Sequence, residues 1–229
     1  LSNEGLKQAS LRHKVSPKDQ LIRNMDKRTP TPHEYLHKSG SSKDCIDVAI
    51  IAEGYTEEEM EIFMKDARTA CEEILSYEPF ASHKEKFNFV AVKLASKQSD
   101  VSEPQFNTWR ETALNSNFHT FYSPRYLTTN SVHLIHDAMV GIDYEHLIIL
   151  ANTDTYGGGG IYNSYTLTTA HHPSFHPVLV HEFGHSFGGL GDEYFYATTD
   201  NNDEMHSLKH EPWEPNITTL VDFDSKWAD

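Results

Sequence analysis

The chain has 229 residues, of which 38% are hydrophobic, with 19 basic residues against 34 acidic ones and a formal net charge of -15. An excess of acid this large argues against nucleic acid as a partner, whose backbone demands Lys and Arg, and against an anionic membrane surface. The length suits one sizeable domain, and no apolar run approaches the ~20 residues of a membrane-spanning helix.

Residues 1–43 are polar and are punctuated by Thr-Pro-Thr-Pro at 29–32 and Ser-Gly-Ser-Ser at 39–42. They read as a linker, or as the trailing edge of a domain that precedes this one. The opening Leu-Ser-Asn-Glu is expected to mark a processed or trimmed product. Inside this stretch, His33-Glu34-Tyr35-Leu36-His37 is boxed between Pro32 and Gly40. It is expected to be a short solvated helix of about two turns at most.

Residues 45–52 (CIDVAIIA) are apolar and β-branched, which predicts a buried strand. Thr56 and Glu59 then have the spacing of a capping box. Met60, Phe63, Met64, Ala67, Cys71, Ile74 and Leu75 follow at helical spacing, the stripe of a helix packed on a core. Cys45 and Cys71 are expected to be two buried thiols rather than a disulfide.

A second strand is predicted over 87–94, then aperiodic polar and aromatic sequence over 96–129 that could hold substrate-facing loops. A short helix over 131–140 and a buried strand over 146–150 come next. Residues 152–160 read as a turn-rich loop ending in four glycines, whose backbone could approach closely at a site. Residues 161–169 alternate and read as an exposed edge strand able to pair with an extended peptide. Pro173 and Ser174 open a final helix, with Val178, Leu179, Phe183 and Phe187 as its apolar contacts. The outline is an α/β sandwich in one domain over 44–229.

That final helix carries His181-Glu182-Phe183-Gly184-His185. Two histidines four residues apart lie on one helix face, since a turn is about 3.6 residues, and can share one zinc ion. A glutamate after the first histidine faces the same cleft and can take a proton from water that the zinc has made acidic. Shuffling this composition gives roughly 0.1 such patterns by chance, so context must decide between this copy and the one at 33–37. Only the copy at 181–185 has an apolar helix face, a helix end at Gly188-Gly189 and, just beyond, the carboxylates Asp192 and Glu193. One of those two is expected to be the third metal ligand, while the other braces the loop. His171, His172 and His176 fall at or before the helix start and read as cleft or surface residues. Tyr194 could supply a hydrogen bond to the developing oxyanion.

The segment His181-Glu182-Phe183-Gly184-His185-Ser186-Phe187-Gly188-Gly189-Leu190-Gly191-Asp192-Glu193-Tyr194 resembles the signature of the IgA-peptidase family of bacterial metallopeptidases. Residues 211–220 (EPWEPNITTL) and 49–56 (AIIAEGYT) are similar to that family too. The resemblance implies a metzincin-like zincin fold, a twisted mixed sheet with a backing helix and an active-site helix. It implies a zinc-dependent endopeptidase acting on protein or peptide substrates, and an exported bacterial protein. Similar Asp-Glu-Tyr endings in immune-inhibitor-A peptidases favour Asp192 over Glu193 as the ligand.

Two departures from the metzincin pattern stand out. Gly191 occupies the position where a third histidine or aspartate is usual, and Met205, in an acidic loop, is not taken as the methionine turn. Family members usually extend further, so part of the site floor is expected beyond Asp229. Asp200-Asn201-Asn202-Asp203-Glu204 reads as a solvated acidic loop rather than a calcium site. The alternative to an enzyme is a catalytically inactive zincin-fold binding module with a structural zinc, which would have no use for Glu182.

Overall fold

A computed structural model describes residue 14 and residues 16–18, 29–194 and 209–227 of the chain. Its centre is a six-stranded mixed sheet in the order β1-β3-β2-β4-β6-β5. The strands are β1 (His33–Lys38), β2 (Ile46–Glu53), β3 (Phe87–Val92), β4 (His146–Ala151), β5 (Gly158–Ile161) and β6 (Tyr165–Thr169). β3, β2, β4 and β6 run parallel, and β1 and β5 close the two edges antiparallel. Parallel neighbours need long crossovers. α1 (Met60–Ile74) supplies the one from β2 to β3, and α2 (Val132–Ala138) lies on the path to β4. The helix α3 (Phe175–Gly188), which carries residues 181–185, follows β6.

Both faces of the sheet are covered, which explains why β2 and β3 read as continuous apolar runs rather than alternating ones. Val48, Ile50 and Ala52 point to one face with Phe63, Ala67 and Ile74 of α1 and Leu179 and Phe183 of α3. Ala49 and Ile51 point to the other, against Leu114, Phe118, Leu127 and Ile135. The helical stripe predicted from Met60 to Leu75 is the buried face of α1. Its entry is the expected capping box, with the Thr56 N–H donating to the Glu59 carboxylate at 2.8 Å. The cysteines are unpaired, as expected, but only Cys71 is buried; Cys45, just before β2, is partly exposed. Burial pushes the Cys71 thiol up to about 12, so it stays protonated in the core.

Three sequence expectations are corrected here. Residues 33–37 are a strand, not a short helix, and the folded unit includes them. A two-turn helix with no apolar stripe buries nothing. As a strand, the segment covers the edge of β3 and packs Leu36 on one core and Tyr35 on the other. At about 3.3 Å per residue, His33 and His37 stand roughly 13 Å apart and cannot share one ion. Next, the glycine run is not the end of a loop: Gly158–Ile161 is strand β5. Last, 161–169 is not one exposed strand. It is the turn of a hairpin followed by β6, which is buried along its whole length between β4 and β5. The edge is therefore β5. Asn163, with φ of 53°, supplies the left-handed residue in the three-residue turn between them.

Glu53, at the end of β2, is fully buried. Its carboxyl oxygens accept the Thr112 hydroxyl at 2.7 Å and the N–H groups of Leu114 and Ser116 at 2.8 Å each. The Ser116 hydroxyl also donates to it. One side chain thus fixes the irregular stretch after β3, which goes on to form a cleft wall.

Candidate metal centre

α3 begins after Ser174 and stops at Gly189, whose φ of 63° is a left-handed conformation that suits glycine. The Gly189 N–H donates to the His185 carbonyl at 3.0 Å, and the Leu190 N–H reaches back to the Gly184 carbonyl at 3.3 Å. This closure reverses the chain and lays residues 190–192 over the last turn of the helix. The His185 Nδ1–H donates to the Leu190 carbonyl. A carbonyl can only accept, so the Nε2 of His185 carries a lone pair and faces the cleft.

Three donor atoms converge there. His181 Nε2 and His185 Nε2 are 3.0 Å apart, and Asp192 Oδ1 lies 3.1 Å from the first and 3.2 Å from the second. Three ligands at 2.0–2.1 Å from a tetrahedral ion would sit about 3.3 Å from one another. Asp192 Oδ1 is buried and makes no hydrogen bond, although both imidazoles are within reach. A buried carboxylate oxygen without a proton to accept is costly, and a cation between these atoms removes that cost. The donor set and its spacing therefore fit a divalent metal. Among the described residues, these three are the only such cluster.

Glu193 turns away from the imidazoles. Its Oε1 accepts the Asn216 Nδ2–H at 2.8 Å. Asn216 also brackets Gly191, accepting its N–H at 2.8 Å and donating to its carbonyl at 2.9 Å. The structure brings Asp192 to the histidines and places Glu193 in the brace beneath the loop.

Glu182 is half-buried beside the histidines. Burial pushes its carboxyl up to about 7, and Asp192 adds to this. The charge of His185 and a hydrogen bond from the Gly160 backbone pull the other way. Burial also lowers the His181 pKa, helped by the neighbouring charge of His185. Both shifts favour uncharged groups, the state in which His181 can ligate a metal.

The glycines of β5 make this proximity possible. A Cβ on Gly158 would lie 3.2 Å from the Glu182 Cγ, and one on Gly160 would lie 2.8 Å from the His185 Cβ. Thr166 of β6 adds a hydroxyl bond to the Glu182 carbonyl at 3.3 Å.

The three donors open into a cleft of about 1630 Å³ between β5, the 117–130 stretch and residues 190–194. Tyr194 stands at its rim, its ring 5.9 Å from that of His181. His171 and His176 lie outside it, pairing with Asp66 at 2.8 Å and Glu73 at 2.7 Å to tie the start of α3 to α1. His172 packs against Tyr156 with ring centroids 5.1 Å apart. Met205 and the acidic run 200–204 fall outside the described residues.

Sequence reasoning missed three residues, two in the cleft and one in the brace beside it. Arg125 came from the aperiodic stretch and carried no signal. Trp213 stacks on Tyr162 at 5.3 Å across Gly189, where any Cβ would meet both rings. Asn216 lies in a segment noticed only for its resemblance.

A model of the IgA peptidase M64 family matches residues 35–229. The chain belongs to the IgA peptidase M64 family. No curated protein matches it. The match starts inside β1, in keeping with a folded unit that includes that strand. Its six-stranded mixed sheet with packed helices is consistent with the zincin-like peptidase fold of this family. That family is a family of metallopeptidases, which points to a protease.

Proposed function

We propose that the chain is a zinc-dependent endopeptidase, with His181, His185 and Asp192 as metal ligands and Glu182 as general base. The observation that carries this reading is the convergence of three donor atoms, 3.0 to 3.2 Å apart, on one side of Glu182. Two imidazoles and one carboxylate are a donor set typical of catalytic zinc, which keeps a further position open. When bound, zinc would acidify a water molecule and polarise the scissile carbonyl.

Glu182 takes a proton from the attacking water and later delivers it to the leaving amine. The hydrogen bond from the Gly160 backbone and the wall of β5 keep its carboxylate aimed into the cleft. His185 is held in one tautomer by the Leu190 carbonyl, which keeps its lone pair directed at the metal position. Glu193 acts through Asn216 to hold the loop that presents Asp192. Tyr194 supplies a hydroxyl near the oxyanion. The exposed end of β5 offers backbone groups to an extended substrate, so that the peptide adds a strand to the sheet. Export from a bacterial cell is part of the same proposal.

Glu182→Gln tests the reading. The variant should bind one zinc per chain and lose about two to four orders of magnitude in rate, measured by the appearance of new N-termini in a mixed protein digest with and without chelator. Undiminished proteolysis by the variant would reject Glu182 as the base. A chelator-insensitive digest would reject the metal mechanism.

A further inference from the structure

The edge strand of the cleft is partly covered by the chain itself. The Gly158 N–H donates to the Arg125 carbonyl at 3.1 Å, and the Leu127 N–H donates to the Gly158 carbonyl at 3.3 Å. Both outward-facing groups of Gly158 are used, so an incoming peptide strand must end or turn there. Gly158 also lies against the Glu182 side chain, as the 3.2 Å contact of its would-be Cβ shows. The backbone of Arg125 is therefore pinned within one strand spacing of the residue that flanks Glu182.

The side chain of Arg125 enters the cleft from this fixed point. Its Nη2 lies 3.5 Å from the Tyr194 hydroxyl, and its guanidinium sits 5.3 Å from the centre of the Tyr126 ring. Among the described lining residues it is the only Lys or Arg. Among those residues it stands with the carboxylates of Glu182, Asp192 and Glu214. Five N–H donors in a planar fork match a carboxylate better than any other peptide group.

We infer that Arg125 is a specificity-determining residue that binds a carboxylate of the substrate next to the scissile bond, at the covered end of β5. This inference rests on the peptidase reading above for the scissile bond, but the carboxylate site can be tested by binding alone. The carboxylate has two possible sources, an Asp or Glu side chain or the α-carboxylate at a peptide C-terminus.

The experiment uses zinc-loaded full chain and matched fluorogenic peptides. One arm exchanges Glu for Gln at each position flanking the cleavage site. The other compares free-acid with amidated C-termini. The wild type should favour the carboxylate form in one arm by about tenfold or more in kcat/KM, and that arm names the source. Arg125→Gln should bring the ratio close to one, and Arg125→Lys should retain part of it, because the charge survives and the fork does not. Thermal unfolding of both variants checks that they fold.

In parallel, Glu182→Gln is titrated with labelled forms of the same peptides. Tighter binding of the carboxylate form, lost on adding Arg125→Gln, upholds the inference even if no peptide is cleaved and the peptidase reading falls. Efficient cleavage with ratios near one in both arms, or a preference unchanged by Arg125→Gln, overturns the inference and leaves the peptidase reading standing.

Discussion

Gly160 and His185 leave no room between them: a Cβ on the glycine would fall 2.8 Å from the Cβ of the histidine. The edge strand thus rests directly on the helix that carries His181, Glu182 and His185. Gly160→Ala must push β5 away from α3 or shift the motif helix. Overpacking of this kind costs about 1–3 kcal/mol. The variant should unfold at a lower denaturant concentration and bind zinc more weakly than the wild type. Unchanged values for both would show that the strand and helix are not rigidly coupled.

The third ligand can be assigned by affinity. Asp192→Asn removes an anionic oxygen placed between two imidazoles and should weaken zinc binding by about a hundredfold or more, beyond the range usual for outer-shell changes. Glu193→Gln should cost at most about tenfold, because it disturbs only the Asn216 brace. Competition with a chromophoric chelator measures both. The reverse order would transfer the ligand role to Glu193.

Glu182 makes a pH-dependent contribution to the metal-free protein. Burial raises its carboxyl to about 7 in the folded chain from an unfolded value of 4.5. The folded state therefore holds the proton more tightly, and ionisation as the pH rises through this window works against folding. Metal-free Glu182→Gln should match the metal-free wild type below about pH 4.5 and become more stable by about 1–3 kcal/mol above about pH 7. Chemical denaturation at pH 4.5 and pH 8 gives the comparison. A larger stability difference at the lower pH would show that the carboxyl pKa is not raised.

Glu53 offers a test of the cleft wall. Truncation to Ala removes the acceptor of the buried Leu114 and Ser116 N–H groups, which bond to the Glu53 carboxylate at 2.8 Å each. The expected loss is about 3 kcal/mol of stability. Amide hydrogen exchange should accelerate first at residues 112–129 rather than across the sheet. A uniform acceleration would mean that Glu53 supports the whole core and not this wall.

The sequence by itself determined the elements with local periodicity. The stripe from Met60 to Leu75 could only be a helix with one buried face, and 45–52 could only be a strand covered on both sides. The four-residue spacing of His181 and His185 set their common face, since that follows from helix geometry alone. The glycine pair at 188–189 marked the reversal of the chain.

Tertiary structure decided what depends on partners distant in sequence. His33-Glu34-Tyr35-Leu36-His37 matches the same motif, yet it is a strand because β3 has an edge to be covered. Nothing local distinguishes a glycine-rich loop from β5. Only the distant neighbours explain the glycines there: α3 lies against Gly158 and Gly160, and the backbone of Leu127 lies against Gly159. Both carboxylates past the turn could have reached the histidines by spacing, and the hydrogen bonds of Asn216, 23 residues beyond Glu193, set which one turns away. Arg125 reaches the cleft from an aperiodic stretch because its backbone is bonded to Gly158. Periodicity records how a segment meets the core. It is silent on which distant side chains the folded chain brings to the same point.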